Sequence, residues 1–140
     1  MEKYKCYTRT INYYETDMMQ VVHHSNYARF LEECRVDLMN YYDMPLEMFD
    51  KMGYVIPVLE LESQFKESVK FGETIHIVPT LYKVTPVKFY FSYVIYDETM
   101  TKVKHTAKSS HCFLDKELKP VSMKKVNLEM YNKFLEIAEA

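Results

Sequence analysis

At about Val55 the spacing of apolar side chains switches from three-and-four to two, and this switch constrains the fold more than any other feature. Before it, Tyr27, Phe30, Leu31, Cys34, Leu38 and Tyr41 recur at helical spacing, with Arg29, Glu32, Glu33, Asp37 and Asn40 opposite. Ser25 or Asn26 is placed to cap that helix by accepting from its free N–H groups. A short helix is expected from Pro45 to Met52, opened by Pro45 and closed by Gly53. Beyond the switch, Leu59, Leu61, Ser63 and Phe65 alternate with polar residues, Ile75 and Ile77 lead a second strand, and Val87, Phe89, Phe91, Tyr93 and Ile95 form a third. A last strand spans about Val103 to Leu114, and Pro79 marks a bulge or an edge. An opening strand, Tyr4 to Tyr13, and a final helix, Asn127 to Ala138 with Leu128, Tyr131, Leu135 and Ala138 on one face, complete the order. Such a chain is α+β, an antiparallel sheet with a long amphipathic helix to cover.

Length and composition narrow the function. The chain of 140 residues is expected to form one domain, 1–140. Its net charge of -2 and three arginines among its cations give no field or fork suited to nucleic acid. Cys6, Cys34 and Cys112 are too far apart for a zinc site or a disulfide framework, and no H-E-x-x-H occurs, so no metal is expected. Only two glycines occur, which leaves no glycine-rich phosphate loop and no cofactor motif. A polar N-terminus and the lack of a long apolar run lead to the expectation of a cytoplasmic protein without a membrane span.

Most information lies between Tyr14 and Tyr27. Asp17 sits in a loop before the long helix, and His23, His24, Ser25 and Asn26 crowd the helix start. Free N–H groups and the positive end of the helix dipole gather there, which suits developing negative charge. A carbonyl oxygen held at that end with a carboxylate nearby is a hydrolytic arrangement. A loop aspartate that merely forms a turn, and histidines that merely pack, are the plainer alternatives.

This segment, Glu15-Thr16-Asp17 followed by Val21, Val22, His24, Asn26 and Tyr27, then Phe30 and the run Glu32 to Arg35, resembles the 4-hydroxybenzoyl-CoA thioesterase-type hotdog family, in particular bacterial acyl-CoA thioesterases. Weaker likeness continues through Phe71–Thr74, Ser110–Asp115 and Pro120-Val121. The resemblance implies a five-stranded antiparallel sheet wrapped around a long central helix. It also implies a homodimer or homotetramer with active sites at the subunit interface, and an acyl-CoA substrate. By the same resemblance Asp17 is the catalytic nucleophile or general base, and the main-chain N–H of His24 polarises the thioester carbonyl. Gln20, His23, Asn26 and Tyr27 are candidates for shaping the substrate pocket. Gln20 stands where the family usually has glycine, so the loop either takes another path or lets Gln20 narrow the pocket.

Other residues read more plainly. Cys34 belongs to the core rather than to a nucleophile, and His111 and Cys112, as strand neighbours, face opposite ways. Ser109-Ser110 lacks a G-x-S-x-G context. Lys102, Lys104, Lys108, Lys124 and Lys125 are solvated, or meet CoA phosphates. The competing functions are an acyl-carrier-protein thioesterase, favoured by the lysines of the last strand, and a non-catalytic acyl-CoA-binding module, favoured by Gln20.

Overall fold

The computed structural model describes residues 2–140. Strand β1, Tyr7–Thr10, leads through a 3-10 turn, Tyr13–Glu15, and a loop into helix α1, Asn26–Tyr41. Helix α2, Leu46–Met52, starts after Pro45 and stops at Gly53, whose φ of 86° is the left-handed cap that glycine tolerates best. Strands β2 (Val58–Phe65), β3 (Thr74–Val84), β4 (Lys88–Tyr96) and β5 (Val103–Cys112) follow, then helices α3 (Met123–Val126) and α4 (Leu128–Glu139). The five strands form one antiparallel sheet in the order β1-β3-β4-β5-β2. This is the hotdog arrangement, with α1 as the filling.

The predicted apolar stripe of α1 is its buried face: Phe30, Leu31 and Cys34 have no exposed surface, and Leu38 and Met39 continue the stripe. They meet Ile75, Ile77, Phe91, Tyr93 and Ile95, the inward residues of β3 and β4. Burial raises the Cys34 thiol pKa, which fits a core role.

Four expectations need correction. The opening strand is shorter, because the chain turns at Tyr13–Glu15. β2 does not bury its alternate residues: Val58, Leu59, Leu61 and Phe65 are all exposed, since β2 is a sheet edge. α4 buries Met130, Phe134 and Ile137 rather than the Leu128–Tyr131–Leu135 stripe, because Phe134 packs against the rings of Phe49, Phe89 and Phe113. The cap residues of α1 also differ, as described below. Pro79 does fall where β3 is an edge, since β1 pairs no further than Ile77, and the register shifts two residues on, between Leu81 and Lys83. Among the described residues no helix is long and apolar enough to cross a membrane.

Candidate active site

The loop before α1 is a small hairpin. Thr16 bridges Val22, the Asp17 N–H donates to Val21 C=O at 2.9 Å, and the Gln20 N–H donates to Asp17 C=O at 2.9 Å. Such a three-residue loop ends on a left-handed residue, normally glycine. Gln20 takes that conformation itself, with φ of 64°, and its side chain is exposed. Glutamine therefore keeps the left-handed turn, at a conformational cost of about 1 kcal/mol, with its side chain in solvent.

Asp17 sits at the first position of the turn, half-buried. Its Oδ1 accepts the Met19 N–H at 2.8 Å, while Oδ2 has no partner among the described residues. One oxygen is thus fixed and the other is free for chemistry. Met18 and Met19, which follow it, are exposed, as are Tyr13 and Phe71, whose rings meet edge-on at 5.5 Å.

The far side of the hairpin is tied down by backbone bonds. Val22 N–H donates to Val69 C=O at 2.8 Å and His23 N–H to Glu15 C=O at 2.9 Å. The chain then turns into α1. Ser25 holds the cap position but does not cap, because its hydroxyl lies 2.8 Å from His23 Nδ1 and its own N–H donates to the same nitrogen. Asn26 does not cap either: its amide donates to Glu15 C=O at 2.8 Å and its oxygen accepts from Arg29. The His24 N–H has no acceptor among the described residues, and its side chain is exposed. A main-chain donor thus stands open at the positive end of a helix about 24 Å long.

Glu15, the first residue of the motif, is the anchor of the loop. Its carboxylate is nearly buried and accepts from Arg9 at 2.5 Å and from the Asn12 N–H at 2.8 Å, while its carbonyl holds His23 and Asn26. Arg9 also donates to both oxygens of Glu33 and lies 4.2 Å over the Phe30 ring. Strand β1, the loop and α1 are clamped together by this one guanidinium.

Tyr27 packs inward, against the sheet. Its ring is buried, stacks on His105 at 4.2 Å and 8°, and meets Phe65 edge-on at 5.3 Å. Burial raises the Tyr27 phenol pKa to about 12 and lowers that of His105 to about 4, so both are neutral near pH 7. Asp17, His23, His24 and Asn26 share the helix N-terminus, and Gln20 lies at the turn beside them.

A second polar feature lies deeper along α1. Arg35 donates to Tyr93 OH at 3.0 Å, Tyr93 OH lies 2.7 Å from Ser109 Oγ, and Ser109 Oγ lies 2.7 Å from His111 Nε2. The alternation of Ser109 and His111 on β5 was the only sequence hint of this chain. It is not a serine nucleophile with its base: Ser109 and His111 are buried, and burial, with the Arg35 charge assisting, lowers the His111 pKa to about 4.

A five-stranded antiparallel sheet wrapped round α1 is the frame of the hotdog-fold thioester hydrolases. Residues 11–135 match the thioesterase-like superfamily, and the chain belongs to it. A protein of Aquifex aeolicus provisionally named an esterase is 31% identical over 89% of this chain and 94% of its own length. A Bacillus subtilis protein provisionally named an acyl-CoA thioesterase is 29% identical over 82% of this chain and 83% of its own. The DHNA-CoA thioesterase of Staphylococcus aureus superposes with a TM-score of 0.90 at 20% identity, covering 96% of this chain and 91% of that one.

Proposed function

We propose that this chain hydrolyses an acyl-CoA thioester to free acid and CoA with Asp17 as the reacting carboxylate. The carrying observation is the pairing of a free Asp17 Oδ2 with the open His24 N–H at the start of α1. The thioester oxygen accepts from that N–H, which stabilises the negative charge that grows as the carbonyl is attacked. Asp17 attacks the carbonyl carbon itself or takes the proton of the water that does. The carbon–sulfur bond then breaks. In the water route the leaving thiolate takes the proton that Asp17 removed. In the direct route it takes a proton from solvent, and water then hydrolyses the acyl–Asp17 anhydride to the free acid. His23 and Asn26 support this centre by fixing the helix start, and Gln20 supports it by holding the turn.

The working unit is a homodimer in which two sheets join across β2. That strand is an eight-residue sheet edge with exposed Val58, Leu59, Leu61 and Phe65, the kind of edge that pairs with another chain. The uncovered Met18, Met19, Tyr13 and Phe71 call for a covering surface as well. The carrier-protein alternative is weaker than its sequence signal, because Lys104 is engaged with Glu67 and Lys108 lies over the Tyr82 ring.

The test is thiol release from a panel of acyl-CoA esters, run beside the same acyl groups on carrier protein. Turnover of CoA esters supports the proposal. Turnover on carrier protein alone would move the substrate to that partner. Tight ester binding with no turnover on either would leave a binding module.

A further inference from the structure

Arg35 is the half-buried arginine that the fold leaves without a carboxylate. Arg9 is clamped between Glu15 and Glu33, and exposed Arg29 donates to Asn26, whereas half-buried Arg35 makes no ion pair among the described residues. Its one hydrogen bond opens the polar chain through Tyr93 and Ser109 to His111. The guanidinium can only donate, so Tyr93 OH is the acceptor at this end of the chain, and the other guanidinium N–H groups have no acceptor among the described residues. They border a cleft of about 100 Å³ walled by Val36, Met39, Leu46, Ile56, Val58 and Phe89, with exposed Glu32 at its rim. An apolar pocket holding one unpaired cation favours an apolar ligand that ends in an accepting oxygen.

The dimer supplies a neighbour for that cleft. Antiparallel pairing of β2 with its own copy, centred on Glu62, would bring Val58 beside Phe65 of the second subunit, once the bulge between Val58 and Glu60 is counted. Phe65 touches Tyr27 at the start of α1, so the second subunit's helix N-terminus would stand at the mouth of this cleft. Within one chain, residues 26 and 35 are about 14 Å apart along the helix, too far for a short acyl group to span.

We propose that the Arg35 cleft of each subunit receives the far end of the acyl group whose thioester is held at Asp17 and His24 of the other, and selects acyl groups bearing a carboxylate or hydroxyl. A cavity of about 150 Å³ is enough to hold benzene, so at about 100 Å³ this one suits a short acyl end. The inference rests on the proposed hydrolysis and dimer, and it adds the substrate class.

The test compares matched esters: glutaryl-CoA against pentanoyl-CoA for the carboxylate, and 4-hydroxybutyryl-CoA against butyryl-CoA for the hydroxyl. Wild-type kcat/KM is expected to favour one oxygenated member by about tenfold, the scale of a charge-assisted hydrogen bond. Arg35→Met should erase that preference while keeping turnover of the plain esters. Should Arg35→Met not fold, Tyr93→Phe, which keeps the cation but frees its anchor, should narrow the preference. A tag-purified mixed dimer of one Asp17→Asn subunit and one Arg35→Met subunit should regain the preference, because its one intact site pairs Asp17 from one chain with Arg35 from the other. A mixed dimer without preference would place both groups in one chain and overturn the inference. So would a wild-type protein that hydrolyses all four esters alike, or a preference that survives Arg35→Met. Ester affinities of the Asp17→Asn protein give the same comparison without turnover, so failure of hydrolysis and failure of selection are read separately.

Discussion

The two ends of α1 are held by different forces. At its N-terminus, a loop of hydrogen bonds and one clamped arginine holds Asp17 and the His24 N–H in place. Beyond its C-terminus, the rings of Phe49, Phe89, Phe113 and Phe134 interlock in a dry cluster that joins α2, α4 and the sheet. Directional polar bonds can fix atoms for chemistry but contribute little net stability, whereas aromatic burial contributes stability with little demand on direction. The aromatic end therefore carries the stability, and the polar end can stay exposed for chemistry.

Substitutions can break that division. The largest effect belongs to the aromatic end: Phe113→Ala should cost about 3–5 kcal/mol in denaturant unfolding, with turnover per folded molecule retained. A loss below about 1 kcal/mol would mean that the cluster is not the stabilising end. Next comes the clamp. Arg9→Met leaves Glu15 and its carboxylate buried without a cation, a loss of about 3 kcal/mol that should also lower kcat by loosening the loop. Arg9→Lys should restore part of both, and a kcat untouched by Arg9→Met would show that the loop holds itself.

Acid sharpens the comparison in another way. His105 and His111 have folded pKa values near 4, below the ordinary value of 6.5, so the unfolded chain binds protons first as pH falls. Their stabilising effect is present above about pH 6.5 and is lost as pH falls towards 4. Melting temperature should fall across that window, by the equivalent of up to about 3 kcal/mol per histidine. His105→Phe should flatten part of the slope, and an unchanged slope would remove His105 from the account. The smallest effect belongs to the turn: Gln20→Gly should raise stability by up to about 1 kcal/mol, with kcat little changed. A large change in kcat would instead make Gln20 a pocket residue.

How far the sequence disclosed these regions depended on what each signal could carry. The buried face of α1 was legible because Phe30, Leu31, Cys34 and Leu38 repeat over several turns. The four residues of α3 are too few to show any period. α4 offers two apolar stripes, and only the distant ring of Phe49 decides between them. β2 alternates like a half-buried strand, yet its place at the edge leaves both faces in the open. Asp17 and the helix start stood out because their residues are contiguous. The inward turn of Tyr27 was hidden, since its partner His105 is far along the chain, and so was the diversion of Ser25 to His23, which required the folded loop. Glu15 was legible as a motif residue, but its pairing with Arg9 was not, since only the folded loop brings the two side chains together.

The most direct test is Asp17→Asn, with turnover and melting temperature measured on one preparation. Asparagine keeps the Oδ1 acceptor for the Met19 N–H, so the loop should persist and the melting temperature should hold. Turnover of every acyl-CoA ester should fall by at least about 100-fold. Turnover near that of the wild type would contradict the account, and would show that the open end of α1 is not where the thioester is cleaved.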